Sequence, residues 1–295
     1  MSDIKIPKLS IGLPVFNGEI FLKKRLETIM QQSFIDYELI ISDNCSTDNT
    51  KKICEEFLKN DSRVKFFSHN KNMLGYWNMN FVLEKSSGEY FVWAAVDDLW
   101  DKTFLEKNIK YLENNDEYVG SISKVSRYGN DIKTFEFSNK DNIIKKKYKK
   151  IRKYFRPFEI FSLNGNYNER IKKFLKNPSA LVIYSVFRTV DLKKSIIVKN
   201  IAALDFIIIL NVLEFGKINV LDEVLMKYYT GGSSSNGFIS QFRNKQIPLE
   251  DLIFPYFSFL NLSRKKYGVK FLLHNSRFFS LFVGGIISNF RELFR

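Results

Sequence analysis

Between Leu9 and Leu112, short apolar runs alternate four times with stretches of helical spacing. That alternation leaves few folds open. Leu9 to Leu13, Tyr37 to Ser42, Val64 to Ser68 and Tyr90 to Val96 read as strands. Between them, Phe21, Leu22, Leu26, Ile29 and Met30 mark one helix, and Ile53, Phe57 and Leu58 a second that starts within Ser46 to Asn49. Tyr76 to Glu84 and Phe104 to Leu112 give two more. Strand and helix in strict turn predict a parallel sheet covered by helices.

In such sheets ligands bind beyond the carboxyl ends of the strands, and here all four ends are polar or irregular. The first strand runs into Pro14, Val15, Phe16 and Asn17, and the second into Asp43 and Asn44. The third meets His69, Asn70, Lys71 and Asn72, with Gly75 beyond. The fourth, an apolar run, stops at two adjacent carboxylates, Asp97 and Asp98. Like charges at the end of a core strand repel unless something positive sits beside them. A divalent cation already carrying a phosphate meets that need; capping of the next helix by Asp98 is the plainer alternative. No G-x-G-x-x-G follows the first strand and no G-K-[ST] loop is present, which disfavours a dinucleotide cofactor and a Walker-type site.

Past Tyr118 the alternation weakens. Lys140 to Lys153 is a basic block, Tyr167 to Leu175 looks helical, and Ala180 to Phe187 looks like a strand. Phe206 to Phe215 is a strongly apolar helix led by Asp205. Ile218 to Tyr229 is a strand carrying Asp222 and Glu223, and Gly231 to Gly237 is a break. In the tail, Phe279, Phe282, Val283, Ile286, Phe290 and Leu293 recur at helical spacing, with Arg277, Arg291 and Arg295 elsewhere. Such a stripe is core, or the apolar face of a helix lying on an anionic membrane.

The net charge of +14 asks for an acidic partner: phosphorylated substrates, an anionic membrane surface or nucleic acid. No nucleic-acid recognition motif supports the last. Two cysteines and two histidines are too few for a disulfide framework, a zinc site or a histidine-based triad. They suit a reducing compartment. The start, MSDIKIPKLS, has no apolar signal segment, and no stretch reaches the roughly 20 apolar residues that span a bilayer. A cytoplasmic location is expected, peripheral on the inner face of the membrane if the tail binds lipid.

Three segments taken in order resemble the family 2 glycosyltransferases with a GT-A fold: SIGLPVFNGEIFLKKRLETIMQQSFIDYELIISDNCSTDNT, NKNMLGYWNMNF and GEYFVWAAVDD. A weaker likeness continues through VIYSVFRTVDL, ALDFIIILNVLEFG and VLDEVLMKYYTGGSSS to about Ser235. The resemblance implies a Rossmann-like, mostly parallel central sheet flanked by helices. Residues 1–125 would form the nucleotide-sugar-binding half, 126–235 the acceptor half, and 236–295 an α-helical basic aromatic extension.

It also implies inverting transfer of a sugar from a nucleotide diphosphate, UDP favoured, to a hydroxyl of a glycan or lipid-linked acceptor in cell-surface polysaccharide or glycolipid assembly. Asp98 and Asp97 would hold Mn2+ or Mg2+, with Asp97 also reaching the ribose. Asp43 would meet the base, which Pro14, Phe16 and Asn17 cradle, and Asn72 and Gly75 would complete the donor side. Asp205 stands at the position of the general base, with Asp222 or Glu223 as runners-up. Against the common pattern, Ala95 replaces an Asp, Asn44 a second Asp, Cys45 a Gly and Phe16 a Tyr. A non-catalytic nucleotide-sugar-binding protein and a nucleotidyltransferase on a similar scaffold are the alternatives.

Overall fold

The computed structural model describes residues 6–129, 143, 146, 159–197, 199–231, 238–244, 247–268, 282–287, 289 and 292. The basic block apart from Ile143 and Lys146, the break at 232–237, and Phe279, Phe290, Leu293 and the three tail arginines lie outside them.

The first half alternates as its apolar pattern dictates: β1 (Leu9–Val15), α1 (Glu19–Met30), β2 (Tyr37–Asp43), α2 (Thr50–Asn60), β3 (Val64–Ser68), α3 (Gly75–Glu84), β4 (Tyr90–Trp93). After these come β5 (Leu99–Trp100), α4 (Phe104–Glu113), β6 (Tyr118–Tyr128), α5 (Tyr167–Lys176) and β7 (Val186–Arg188). The remainder is α6 (Thr189–Ser195), α7 (Leu204–Val212), β8 (Lys217–Tyr229), α8 (Phe238–Arg243), α9 (Leu249–Ile253) and α10 (Phe257–Tyr267). One sheet of eight strands runs β3-β2-β1-β4-β7-β6-β8-β5. β3, β2, β1 and β4 are parallel, so their carboxyl ends share one edge. β7 is antiparallel to both neighbours, and β6 and β8 are parallel to each other. The same sheet carries both halves, and the division at 125/126 falls inside β6.

β4 stops at Trp93, short of the expected Val96. Ala94 N still donates to Gly12 O at 2.8 Å. The next donor from β1 toward β4 would be Pro14, which has no N–H, so the ladder ends there. Residues 94–98 are thereby released from the sheet, and the acidic pair sits on a loop rather than on a strand tip.

The segment Ala180 to Phe187 is not one strand. Ala180–Tyr184 is a 3-10 helix and only Val186–Arg188 joins the sheet. A short continuous apolar run carries no period that separates the two, and here it is wedged between α7 and β4. α7 is apolar all round, with Phe206, Ile207, Ile208, Ile209, Leu210 and Val212 buried, as a helix inside a core must be.

The described residues of the C-terminal part are helical between short connections. Residues 282–287 are also helical, with Gly285 buried. A Cβ on Gly285 would lie 2.4 Å from the Pro255 side chain and 3.3 Å from Phe238. Glu292 accepts bonds from Ile239 N at 2.9 Å and Ser240 N at 3.2 Å. Gly285 and Glu292 thus place this stretch against α8 and the α9–α10 corner.

Candidate active site

Four loops meet at the carboxyl edge of β1 to β4, and their own side chains stitch them together. α1 and α2 start without side-chain caps of their own. The first N–H groups of α1 are satisfied from across the edge instead: Gly18 N donates to Thr50 Oγ1 at 2.8 Å and Glu19 N to Asp48 Oδ2 at 3.1 Å. Glu19 returns the contact, accepting from Asn49 Nδ2 at 2.6 Å. Asn17 N donates to Ser46 Oγ at 2.8 Å, and its Oδ1 accepts from Thr47 N at 2.9 Å. The next loop is tied in by Asn44, which donates to Asn72 Oδ1 at 3.0 Å and accepts from Met73 N at 2.8 Å. The amide here can both donate and accept; a carboxylate in its place could only accept.

Asn17, Cys45 and Leu74, one residue from each of three strand-end loops, have φ of 49°, 66° and 75°. Left-handed backbone at non-glycine residues costs of order 1–3 kcal/mol each and clusters at functional sites. Asp43 is buried, with Oδ1 accepting from Ser46 N at 3.1 Å. Phe16 is 48% exposed, a flat ring presented at the rim. Pro14 is partly buried, and Gly75 is exposed with nothing within 4 Å of a Cβ built on it.

Asp98 is buried, yet Asp97 beside it is partly exposed. Asp98 Oδ1 accepts from Tyr229 N at 2.9 Å, while Oδ2 has no partner among the described residues. Burial pushes the Asp98 carboxyl up to about 7, opposed by the Tyr229 N–H, while the neighbouring Asp97 adds to the rise. Burial likewise raises Asp97. Tyr128 Oη donates to the Asp97 carbonyl, and the Tyr229 ring sits between Phe21 at 4.8 Å and Tyr128 at 5.3 Å. Both tyrosines come from strand ends in the second half, so the two halves of the sheet close on the acidic pair.

Asp205 is the second residue of α7 and partly buried; burial pushes its carboxyl up to about 6 against the pull of the Phe206 N–H. The Tyr184 phenol lies within electrostatic reach of all three carboxylates. Burial raises this phenol well above its ordinary value, and the charges of Asp98, Asp97 and Asp205 all push the same way. Asp222 and Glu223 lie elsewhere, exposed on β8 and ion-paired with Lys124 and Lys107.

Two residues that the sequence reading missed complete the site. Tyr184 was hidden in a run read as strand. Arg25 sits on the buried face of α1 with Leu22, Leu26 and Ile29, fully buried, its guanidinium carbon 3.8 Å from the Trp100 ring centre. A lone Arg at a core-facing helical position was the available signal.

An unpartnered buried carboxylate oxygen beside a second, accessible carboxylate fits a hard divalent cation. Among the described residues no three acidic, histidine or cysteine side chains gather in one place, so Asp97 and Asp98 are the described side chains that would hold such an ion.

The chain is 37% identical over 94 residues to the GalNAc(5)-diNAcBac-PP-undecaprenol beta-1,3-glucosyltransferase of Campylobacter jejuni, covering 32% of this chain and 30% of that protein. The chain thus matches less than a third of that relative's length. S. aureus TarS 1-349 in complex with UDP-GlcNAc superposes with a TM-score of 0.53 at 18% identity, over 77% of this chain and 59% of that one. The mannosyltransferase PcManGT of Pyrobaculum calidifontis, in complex with GDP-Man and Mn2+, gives a TM-score of 0.55 at 15% identity, over 94% and 73%. At these identities the two structures speak for the fold, which is GT-A. The sequence profile of Glycosyl transferase family 2 matches residues 10–190, from the first strand of the parallel edge to the start of α6, and the chain belongs to that family.

Proposed function

We propose that the protein transfers a sugar, with inversion, from a nucleotide diphosphate, UDP favoured, to a hydroxyl of a glycan or lipid-linked acceptor. The observation that carries this reading is the buried, unpartnered Oδ2 of Asp98 beside the accessible Asp97, on the loop that leaves β4 at the carboxyl edge of the parallel strands.

Residues 1–125 hold the donor and residues 126–235 supply the acceptor side. Phe16 stacks on the base, Asp43 and Asn17 hold the loop around it, and the Asn44–Asn72 amide pair closes the next loop with Gly75 open at its rim. Asp98 through its unpartnered oxygen, with Asp97 beside it, would hold Mn2+ or Mg2+. A divalent ion there stabilises the negative charge of the departing diphosphate. Asp205 takes the proton of the acceptor hydroxyl. The freed oxygen bonds to the anomeric carbon on the face opposite the nucleotide, and the electron pair of the breaking C–O bond leaves on the diphosphate. The apolar surroundings that raise the Asp205 carboxyl bring its basicity closer to working pH.

Cell-surface polysaccharide or glycolipid assembly suits a protein of this charge, held peripherally at an anionic membrane. The Campylobacter relative is named for an undecaprenol-linked substrate. No helix among the described residues is long and apolar enough to cross a membrane.

The test is UDP release from a panel of UDP-sugars, with Mn2+ and with a chelator. Turnover should need the ion and vanish in Asp98→Ala. Full ion-dependent turnover by that variant would remove the site assignment. Donor binding without hydrolysis or transfer would favour a non-catalytic nucleotide-sugar-binding protein.

A further inference from the structure

The helix that carries Asp205 begins at a strained corner. Ala203, immediately before α7, has φ 59° and ψ 38°, left-handed backbone that a residue with a Cβ adopts at a cost. Phe206 N donates back to Ala203 O at 3.1 Å, closing the corner around Asp205. No side chain within α7's own start caps it.

What holds the corner comes from 49 residues further along the chain. Asp251, on α9, is fully buried. Its Oδ2 accepts from Ala202 N at 3.0 Å and its Oδ1 from Ser258 N at 2.8 Å. Ser258 follows a second left-handed corner, Tyr256, with φ 66°. One buried carboxylate thus bridges two such corners, one at the base-bearing helix and one in the C-terminal part. The packing runs the same way: Ala202, Phe238 and Ile247 form a small cluster apart from the main core, with Phe242, Leu252 and Tyr256 against it.

We propose that Asp251 is a positioning residue for Asp205, and that the C-terminal helices serve catalysis by setting the geometry of α7's first turn. This rests on the reading of Asp205 as the base. A buried carboxylate is a costly way to join two loops. An ionised Asp offers two short acceptors to two backbone N–H groups; an amide offers one, and turns its other side into a donor facing a donor. The geometry therefore asks for Asp at 251 and fixes the residue two places beyond Ala203 to within the tolerance that proton transfer needs.

The full chain is the test object, with UDP release from the best of UDP-glucose, UDP-galactose and UDP-N-acetylglucosamine as the rate. Asp251→Asn should lower kcat about tenfold to a hundredfold, with KM for the UDP-sugar unchanged within about twofold, as the donor site lies on the other half of the sheet. Amide exchange should quicken at 202–206 and not in β1 to β4. Adding Ala203→Gly, which eases the left-handed corner, should restore much of the lost kcat.

An Asp251→Asn protein with unchanged kcat overturns the inference. So does a loss that merely tracks the unfolded fraction in a thermal melt, or one that glycine at 203 does not recover. Asp205→Asn run alongside separates the two readings. Loss there with none in Asp251→Asn sinks the clamp alone. Full turnover by Asp205→Asn sinks the base, and the exchange data then decide whether Asp251 holds the corner.

Discussion

Arg25 and Asp98 are opposite charges, both buried, with no hydrogen bond between them. All three guanidinium nitrogens of Arg25 and the Oδ2 of Asp98 lack partners among the described residues, as does the Trp100 indole N–H. Burial pulls the guanidinium down to about 10, and Asp98 is the strongest charge holding it up. The parallel half of the sheet thus keeps a positive charge within electrostatic reach of its acidic pair, stacked on Trp100 rather than bonded to a carboxylate.

That arrangement makes the shape of Arg25 matter more to folding than its charge. Removing it as Arg25→Met deletes unpartnered donors and a desolvated charge while keeping much of the volume. It forfeits a ring stack worth about 0.5–2 kcal/mol. Because the Asp98 carboxyl, pushed up to about 7, can take a proton once its opposite charge is gone, the net change in unfolding free energy should be within about 1 kcal/mol. Arg25→Ala also leaves a cavity and should cost about 2–4 kcal/mol. Urea denaturation of the two proteins side by side checks this; equal losses would mean that the charge itself holds the fold.

Asp98 should show the opposite balance between stability and function. A buried carboxylate oxygen with no partner is unfavourable to the empty protein. Asp98→Asn keeps an acceptor for the Tyr229 N–H and removes the charge, so the apo protein should gain about 1–2 kcal/mol. Manganese-dependent binding of UDP should fall at least tenfold in calorimetry. A variant that is less stable and still binds would show that the oxygen is satisfied by the protein and not kept for a cation.

Much of this edge was legible in the chain. The β1 to β4 alternation and the polar residues at each strand end came from periodicity alone, since a buried parallel strand must be apolar until it leaves the sheet. Asp97 and Asp98 stood out because a core strand stopped at them. The rest depends on tertiary contact. Nothing local says that Pro14 ends the β4 ladder, that Ala180 to Tyr184 coils into a 3-10 helix, or that Arg25 on a core face answers Asp98. Asp251 lay in a tail legible only as helical; its role exists because two left-handed corners far apart in sequence meet at its carboxylate.

As the proposed base, Asp205 should set the acid side of the rate. Its carboxyl is pushed up to about 6 by burial, and only the ionised form accepts a proton. Turnover at saturating donor should therefore rise with pH through about 6 and level off above it. Asp205→Asn should lower the rate about 10²- to 10⁴-fold and abolish that limb. A profile flat from pH 5 to pH 8 in the wild type would contradict the assignment, whatever the variant does.

The opposite edge of the sheet carries the acid sensitivity of the fold. Glu38, on β2, is buried and accepts from Ser10 Oγ at 2.5 Å, Ser87 N at 2.8 Å, Ser87 Oγ at 2.7 Å and Lys65 Nζ at 2.6 Å. Burial works to raise the carboxyl, but these donors together hold it below its ordinary value of 4.5. A folded-state value below the unfolded one means that the ionised group stabilises the native state above about pH 4.5 and that this contribution is lost as the pH falls through the depressed value. Ser10 Oγ also accepts from Gly88 N at 2.8 Å, so the turn that feeds β4 hangs on the same group. Glu38→Gln should cost about 1–3 kcal/mol at pH 7 and less at pH 3. Urea midpoints measured at both pH values decide it: a penalty that persists undiminished in acid would assign the loss to packing rather than to the charge.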